Sequence, residues 1–333
     1  MKEKIVVIGS NSFSGASFIA YCLSLGLHVV GISRSKEPPD VFLPYKWNKA
    51  NNLKGLFKFL QLDINHHTEA IANIIGQFRP DYVVNFAAQS MVAQSWQYPE
   101  HWYQTNVVGN VKLHDKLRHF DFLKKYVHVS TPEVYGSCSE KVTELAPFNP
   151  STPYAASRAA CELHLITFLK QYKFPVVFTR AANVYGPGQQ LYRVIPRTIL
   201  YIKLKKKIQL HGGGCSVRSF IHIRDVADAT LKIAQQGILG HCYHISTDMH
   251  ISIRQLVEMI CEMMDTDFGQ LVEIVDERMG KDAAYLLDST KLRQKLGWKD
   301  CVGLEDGIRE TINWISDNLE ELSHQPLDYI HKE

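Results

Sequence analysis

The chain has 333 residues, enough for one large α/β unit or two coupled domains, and its 45% content of hydrophobic residues is ample for a buried core. With 37 basic and 34 acidic residues the net charge is only +3, which argues against the strongly basic surface of a nucleic-acid-binding protein. No apolar run approaches the roughly 18 residues of a membrane-spanning helix, and no signal peptide is recognisable. We therefore expect a soluble, cytoplasmic protein without a nucleic-acid or membrane partner.

The seven cysteines and 15 histidines form no pattern typical of a metal site. The cysteines are scattered and include no C-x-x-C pair, which argues against both a disulfide framework and a zinc site. The pairs His66–His67 and His241/His244 lack acidic or cysteine partners at ligand spacing. We expect no bound metal.

The chain opens with an apolar run at 5–8, a turn of small residues, a helical pattern and a second apolar run, which is the order of a βαβ unit. The turn at 9–15 has the spacing of G-x-x-G-x-x-G, with Ser12 in the middle position. Small residues there let the backbone approach a pyrophosphate, which then lies at the helix N-terminus. The pattern predicts a nucleotide-cofactor loop.

Apolar runs and helical patterns then alternate along the chain. The runs lie at 57–63, 81–88, 127–129, 176–178 and 242–245, and helical patterns at 67–78, 99–118, 154–172, 225–236 and 253–265 separate most of them. This alternation predicts an α/β fold with a doubly wound, mostly parallel sheet. The pattern becomes irregular from about residue 180, and a helix is predicted near 304–320, so we expect a smaller second lobe.

Polar side chains follow the predicted strand at 127–129. Ser130, Thr131 and Glu133 come directly after it, and open α/β sheets bind their ligands at the carboxyl ends of strands. These three residues are therefore candidates for a reactive site.

A second candidate group lies at the start of the next helical pattern. Pro153 suits the first position of a helix, and the spacing of four places Tyr154 and Arg158 on one helical face. A phenol beside a fixed cation is a candidate proton shuttle.

The order and spacing of these motifs resemble the extended short-chain dehydrogenase/reductase family and, within it, the nucleotide-sugar 4,6-dehydratases. The resemblance extends from Ile5 to Trp298. It is carried by the glycine loop at 9–15 and by Asn-Phe-Ala-Ala-Gln-Ser at 85–90, Thr-Asn at 105–106, Ser-Thr-x-Glu-Val-Tyr-Gly at 130–136, Tyr-x-x-x-Arg at 154–158, Asn-Val-Tyr-Gly-Pro at 183–187, Val-Arg-Ser-Phe-Ile-His at 217–222, Arg-Asp-Val at 224–226 and Arg-x-Gly-x-Asp at 278–282.

The resemblance implies a Rossmann domain at 1–179 and 219–247 that binds NAD(P), and a smaller α/β substrate-binding lobe at 180–218 and 248–333. It also implies a homodimer, because in that family the two helices corresponding to 99–118 and 154–172 pair with their symmetry mates. Both patterns carry more apolar positions than one sheet face needs. These positions are Val107, Val111, Leu113 and Leu117 in the first pattern, and Ala159, Leu163, Ile166 and Leu169 in the second.

The resemblance also assigns roles to individual residues. The implied cofactor-binding residues are Gly9, Asn11, Ser12, Phe13, Ser14, Gly15, Ser33, Arg34, Asp63, Ile64, Ala87, Ala88, Gln89, Asn106, Tyr154 and Arg158. The implied residues for a nucleoside-diphosphate sugar are Ser90, Ser130, Thr131, Asn183, Arg193, Arg218 and Arg278. The implied catalytic residues are Thr131, Glu133, Tyr154 and Arg158.

The implied reaction begins with oxidation of the sugar at C4. Tyr154 as phenolate takes the proton of the 4-hydroxyl while hydride leaves C4 for the nicotinamide, and Thr131 binds the same oxygen. The 4-ketone makes the C5 proton acidic, Glu133 removes it, and hydroxide leaves C6. Hydride then returns to C6, so the product is a 4-keto-6-deoxy sugar nucleotide.

Two positions depart from the pattern of this family. Arg158 stands where the family usually has lysine; it keeps the positive charge but has a wider, planar head. Pro132 stands where many dTDP-glucose-type enzymes have an aspartate that protonates the departing 6-hydroxyl. Proline has no proton to give, and Glu133 is then the group that returns the C5 proton to the leaving oxygen.

The end of the second apolar run bears on the choice of cofactor. NAD-dependent enzymes of this kind place an acid there to bind the ribose 2′-hydroxyl, whereas this chain has Ser33 and Arg34. A hydroxyl and a cation favour a 2′-phosphate, so the sequence predicts NADP over NAD.

Other functions remain open on the same fold. A sugar-nucleotide 4-epimerase needs no C5 base, so Glu133 argues against it, whereas a uronate decarboxylase also resembles the Ser-Thr-x-Glu pattern. A non-catalytic dinucleotide-binding protein is the alternative of another class, and Pro132 and Arg158 are the residues in its favour.

Overall fold

The computed structural model describes residues 2–47, 55–138, 140–276 and 286–333. Its strands are β1 (Lys4–Ile8), β2 (His28–Ser33), β3 (Phe57–Gln61), β4 (Tyr82–Asn85), β5 (Lys125–Val129), β6 (Val176–Ala181), β7 (Asn183–Tyr185), β8 (Ile208–His211), β9 (Val217–Arg218), β10 (Phe220–His222), β11 (Cys242–Ile245), β12 (Ile251–Ser252) and β13 (Val272–Val275). Its α-helices are α1 (Phe13–Ser24), α2 (Pro44–Trp47), α3 (Thr68–Phe78), α4 (Pro99–Tyr103), α5 (Asn110–Leu117), α6 (Pro153–Tyr172), α7 (Val194–Lys203), α8 (Ile223–Gln236), α9 (Ile253–Met263), α10 (Phe268–Leu271), α11 (Thr290–Leu296), α12 (Leu304–Asp317) and α13 (Leu319–Ser323).

Seven parallel strands form the main sheet, in the order β3-β2-β1-β4-β5-β6-β11. The chain begins at β1, moves outward to β3, and then returns to the other side of β1 at β4. The carboxyl ends of β1 and β4 therefore flank the point where the strand order reverses, which is where open α/β sheets bind their ligands. The predicted doubly wound parallel sheet is confirmed.

Helices cover both faces of this sheet. One face packs against α1 and α8 through a cluster that includes Ile19, Val226 and Trp298. The opposite face packs against α3, α5 and α6 through a second cluster that includes Ile71, Leu113 and Leu165. Since strands buried on both faces must be apolar throughout, the continuous runs in the sequence agree with this arrangement.

A smaller group of elements follows β6. It contains the strand pairs β7–β10, β8–β13 and β9–β12, and the helices α7, α9 and α12 pack around a separate apolar cluster that includes Ile199, Leu256 and Ile308. The lobe expected after about residue 180 thus has its own core. The domain boundaries given above stay a prediction.

Two capping residues fix where the two helices next to the cavity begin. Ser12 caps α1, because its Oγ accepts a hydrogen bond from the Gly15 N–H at 3.1 Å. Thr152 caps α6 in the same way by accepting from the Ala155 N–H at 3.2 Å, and Pro153 occupies the first helical turn. The helix predicted at 99–118 is formed by α4, a π-helical stretch at Gln104–Gly109, and α5.

Among the described residues, no helix has both the length and the apolar content that a bilayer span requires.

Buried neutral histidines should make the fold sensitive to acid. Burial lowers the pKa of His244 to about 3, and its ring lies between the Tyr135 hydroxyl at 2.7 Å and the Asp288 carbonyl at 3.1 Å. Between the ordinary histidine pKa of about 6.5 and this folded value, the unfolded chain binds a proton that the folded chain does not. The contribution of His244 to the free energy of unfolding therefore has its full value above pH ~6.5 and is lost as the pH falls.

We expect His244→Asn to make the loss of stability between about pH 6 and pH 4 shallower, by up to about 1.4 kcal/mol per pH unit. Urea denaturation at a series of pH values measures this slope. The exposed His66 is the matched control, and His66→Asn should leave the slope unchanged. Equal slopes for parent and His244→Asn would contradict the assignment of a depressed pKa.

Candidate active site

One large cavity, of about 1310 Å³, opens at the carboxyl edge of the main sheet. Its wall contains the loops after β1, β2, β4 and β5, the start of α6, and residues of the smaller lobe from β7 to α7. Almost all the site residues predicted from the sequence line this single cavity. The exceptions are Gly15 and Asn106, which lie behind the wall, and Arg278, which lies outside the described residues.

The glycine loop after β1 approaches the backbone of the strand beside it. Gly9 has φ of +83°, and a Cβ there would lie 2.6 Å from the Ala87 nitrogen, so no side chain fits. The Oδ1 atom of Asn11 is buried without a hydrogen-bond partner in the described part of the chain. Together with the first-turn N–H groups of α1, these features fit the pyrophosphate of a dinucleotide.

The loop after β4 is held by a reciprocal pair of hydrogen bonds. The buried Asn106 accepts from the Gln89 N–H at 2.8 Å and donates to the Gln89 carbonyl at 3.0 Å. Asn106 also donates to the Ser157 hydroxyl at 2.9 Å, and Asn106 itself lies in the π-helical stretch. Asn106 thus ties the cavity wall at Gln89 to α6, which places it one layer behind the cofactor position expected for it.

Thr131, Glu133 and Tyr154 all line this cavity, and Thr131 is hydrogen-bonded to the Tyr154 phenol. Burial raises the pKa of the Tyr154 phenol, and the negative charge of Glu133 raises it further. The Arg158 charge, a hydrogen bond with Thr131 and the Arg193 charge oppose this shift without reversing it. The phenol is therefore protonated at neutral pH in the chain alone.

Arg158 is buried and its guanidinium is fixed by strand β5. Nη2 donates to the Val129 carbonyl and lies 3.4 Å from Nε2 of His128. Burial lowers the pKa of His128 well below its usual range, and the Arg158 charge adds to this effect. His128 therefore stays neutral, and the Arg158 guanidinium lies beside its ring and within electrostatic reach of Tyr154.

A buried ion pair lies under the catalytic turn, by which we mean residues 130–136. Arg180 in β6 donates to both carboxylate oxygens of Glu162 in α6, at 3.1 and 2.5 Å, and the two side chains are only 3% and 2% exposed. Arg180 also donates to the Tyr135 hydroxyl, and the Ser130 hydroxyl donates to Glu162. The Ser130 hydroxyl is therefore engaged with α6, so a direct hydrogen bond from it to substrate stays a prediction.

The remaining substrate-binding candidates lie on the side of the cavity formed by the smaller lobe. Asn183 belongs to β7, Arg193 directly precedes α7, and the largely buried Arg218 belongs to β9. Ser90 lines the opposite wall after β4. Arg193 and Arg218 are two cations that face one cavity, which suits the diphosphate of a sugar nucleotide.

Sequence reasoning missed two groups of residues at this site. Glu162 and Arg180 are separated by 18 positions and belong to no motif, so only their contact in the fold reveals them. Residues 325–332 also contribute to the cavity wall, from a stretch without helix or strand at the far end of the chain. Nothing in their composition indicates that position.

Comparison with known proteins identifies relatives over nearly the whole chain. A family model described as GDP-mannose 4,6 dehydratase matches residues 6–311. A probable dTDP-glucose 4,6-dehydratase of Sinorhizobium fredii is 31% identical over 335 residues, which cover 95% of this chain and 93% of that protein.

Solved structures share the same fold. The dTDP-glucose 4,6-dehydratase of Streptomyces venezuelae, with NAD and TYD bound, superimposes with a TM-score of 0.87 at 28% identity and covers 96% of this chain and 99% of its own. A UDP-glucose 4-epimerase of Thermotoga maritima, with UDP-glucose, has a TM-score of 0.85 at 27% identity over 95% of this chain and all of its own. Fold likeness alone thus does not separate elimination from epimerisation.

We expect Glu162→Gln to destabilise the fold by about 3–5 kcal/mol, because it leaves the Arg180 charge buried without its carboxylate partner. Urea denaturation of the variant measures the loss. Glu258→Gln is the matched control, since it breaks the exposed pair between Arg254 and Glu258 and should cost less than about 0.5 kcal/mol. A loss in Glu162→Gln as small as in the control would show that the buried pair is not required.

Proposed function

The chain belongs to the GDP-mannose 4,6-dehydratase family, and on that premise we propose that it is a nucleotide-sugar 4,6-dehydratase that uses a nicotinamide dinucleotide. It converts a nucleoside-diphosphate hexose to the 4-keto-6-deoxy sugar nucleotide with net loss of water. The observation that carries this proposal is the convergence of Thr131, Glu133 and Tyr154 on one cavity that also contains the glycine loop.

Tyr154 and Thr131 act on the sugar's 4-oxygen. Tyr154 takes the proton of the 4-hydroxyl, and Thr131, which is hydrogen-bonded to the phenol, binds the same oxygen. When bound, the nicotinamide supplies the redox chemistry by accepting hydride from C4 and returning it to C6. The Arg158 charge favours the phenolate and so opposes the effect of burial.

Glu133 acts at C5, the carbon next to the new 4-ketone. It removes the C5 proton, which the 4-ketone has made acidic, while the bond from C6 to its oxygen breaks. Pro132 is buried and has no proton to give, so Glu133 passes the C5 proton to the departing oxygen, which leaves as water. Once C6 has regained its hydride, C5 takes up a proton from solvent and Tyr154 releases the proton of the 4-hydroxyl, so the net change is the loss of one water. One carboxylate thus serves as base and then as acid.

Incubation with a panel of nucleoside-diphosphate hexoses and hexuronates, followed by mass analysis of the products, tests the reaction type. Loss of water from a hexose supports the proposal. Loss of carbon dioxide from a hexuronate would instead select a decarboxylase, an unchanged mass with a changed sugar would select a 4-epimerase, and no reaction would select a binding protein.

Of the two nicotinamide dinucleotides, we propose NADP(H) as the cofactor. A guanidinium and a hydroxyl at the end of β2, from Arg34 and Ser33, suit a 2′-phosphate better than a 2′-hydroxyl. The Streptomyces venezuelae structure holds NAD, so the two dinucleotides have to be distinguished by experiment. Nucleotide released from the purified protein and identified by mass decides between them, and tightly bound NAD would contradict this assignment.

A cytoplasmic homodimer is the assembly that we propose. Leu113 and Leu117 are buried against the sheet and Ala159 against the turn at Val134, whereas Leu163 on α6 is 53% exposed and Val108 beside α5 is 40% exposed. Apolar side chains on this outer face support a two-fold contact between the helices of two chains. Sedimentation at micromolar concentration should give a dimer, and a monomer would contradict the proposal.

We expect Glu133→Gln to stop the reaction after the first step. The amide cannot remove the C5 proton, so the 4-ketone should form and the reduced cofactor should remain on the enzyme, because C6 offers no acceptor. Rapid mixing with substrate, with the absorbance of the reduced nicotinamide as the signal, measures this. Normal turnover by the variant would remove Glu133 from the mechanism.

We expect Arg158→Met to lower activity and to move the rising limb of the pH–rate profile to higher pH. The base must be the phenolate, and without the cation the pKa of Tyr154 rises further. Arg158→Lys should keep the profile near that of the parent, because the charge is retained. A pH–rate profile of Arg158→Met equal to that of the parent would show that the base is activated by another group. Tyr154→Phe should abolish ketone formation but retain dinucleotide binding.

A further inference from the structure

Residues 328–333, the terminal segment, lie across the dinucleotide side of the cavity. Asp328, Tyr329, Ile330 and Lys332 belong to the cavity wall. The segment has neither helix nor strand, so side-chain contacts hold it in place. These contacts reach both the smaller lobe and the main sheet.

The first anchor of the terminal segment lies on α7. Asp328 accepts a hydrogen bond from Nη2 of Arg197 at 2.6 Å. The next residue, Tyr329, packs its ring edge against the ring of Tyr192, with 5.6 Å between the centroids.

The second anchor lies on α4. His331 shares a hydrogen bond of 2.8 Å between its Nε2 and the Nδ1 of His101. Its ring also lies nearly parallel to those of Tyr98 and Trp102, with centroids 5.3 Å away in both cases. Between the two anchors, Ile330 is 63% exposed and contributes little to attachment.

The segment ends on two residues that the sequence assigns to the cofactor. Arg34 at the end of β2 donates through Nη2 to the Lys332 carbonyl at 3.1 Å and through Nη1 to the main-chain oxygen of Glu333. Gln89 after β4 donates to the same Lys332 carbonyl at 2.5 Å. The two outer nitrogens of the Arg34 guanidinium are thus engaged by main-chain oxygens of the segment.

A phosphate on the ribose 2′-oxygen would compete for these donors. Arginine binds phosphate with two parallel N–H groups, and the segment already occupies two of the five N–H groups of Arg34, one on each outer nitrogen, so a phosphate bound across that pair has to displace the segment. An unphosphorylated ribose makes no such demand, because a 2′-hydroxyl is satisfied by a single partner such as the Ser33 hydroxyl.

We propose that the terminal segment is a specificity element of the dinucleotide site: by holding Arg34, it weakens binding of the 2′-phosphorylated dinucleotide relative to the unphosphorylated one. This inference rests on the nicotinamide cofactor of the proposed function. It adds that the preference expected from Ser33 and Arg34 is opposed by a part of the chain about 300 residues away in sequence.

The test measures binding, without turnover. Calorimetric titration with NAD and with NADP, after removal of any nucleotide carried through purification, gives the ratio of the two dissociation constants for each protein. The double variant Asp328→Ala/His331→Ala removes both anchors and should shift the ratio toward NADP by about tenfold or more, the usual effect of gaining a hydrogen bond to a charged group. Asp115→Ala/His119→Ala, the same pair of substitutions at exposed positions outside the cavity wall, is the matched control and should leave the ratio unchanged.

Arg34→Ala tests whether the change in the ratio of dissociation constants depends on the Arg34 guanidinium. In that background, removal of the two anchors should no longer change the ratio. An unchanged ratio after anchor removal, an equal change for both dinucleotides, or a shift that persists without Arg34 would each overturn the proposal. A chain shortened after Leu327 serves as a second variant if the double variant does not fold, with the same expected shift.

Failure of this inference can be distinguished from failure of the proposed function. Failure of the parent to bind either dinucleotide would overturn both the cofactor assignment and this inference. Binding of both dinucleotides with a ratio that is insensitive to the segment would overturn this inference alone, because the sugar-nucleotide panel tests the reaction independently.

Discussion

The buried ion pair between Glu162 and Arg180 is the interaction on which the catalytic end of the sheet depends. It joins α6 to β6, and through Ser130 and Tyr135 it also binds the catalytic turn. Two charges removed from water are tolerable only while they remain paired and hydrogen-bonded, so separating them is costly. The helix that carries Tyr154 therefore cannot move relative to the turn without breaking this pair.

That rigidity matters because the reaction requires two groups to act on adjacent sugar carbons. In the proposed mechanism Tyr154 acts on the 4-hydroxyl and Glu133 on the C5 proton, and each comes within about 3 Å of its atom only if the helix and the turn are held in register. Burial of Tyr154 and the nearby carboxylate both raise the phenol's pKa. The fixed guanidinium of Arg158, held by the Val129 carbonyl, is the group that opposes them.

The two sides of the cavity are formed in different ways, one by backbone and the other by side chains. The sheet side is defined by backbone geometry, since Gly9 approaches Ala87 too closely for any side chain. The opposite side is defined by side chains of the smaller lobe, and the terminal segment, which is attached at two anchors, lies across the dinucleotide side at Arg34 and Gln89. The loop proposed to hold the dinucleotide is thus constrained by the backbone of the sheet, whereas the opposite wall consists of side chains that can differ in sequence without disturbing the sheet.

By itself, the sequence determined the βαβ order, the parallel sheet and the glycine loop. It also predicted the group of Thr131, Glu133, Tyr154 and Arg158, which the structure brings to one cavity and whose catalytic roles belong to the proposed mechanism. These features depend on short-range signals, because strand and helix periodicity, caps and turn residues are encoded within a few positions. The tertiary structure alone decided that Asn106 acts from behind Gln89, that Glu162 meets Arg180 under the catalytic turn, and that the terminal segment reaches Arg34. Contacts between residues far apart in the chain leave no local pattern, since they arise only when packing brings separate elements together.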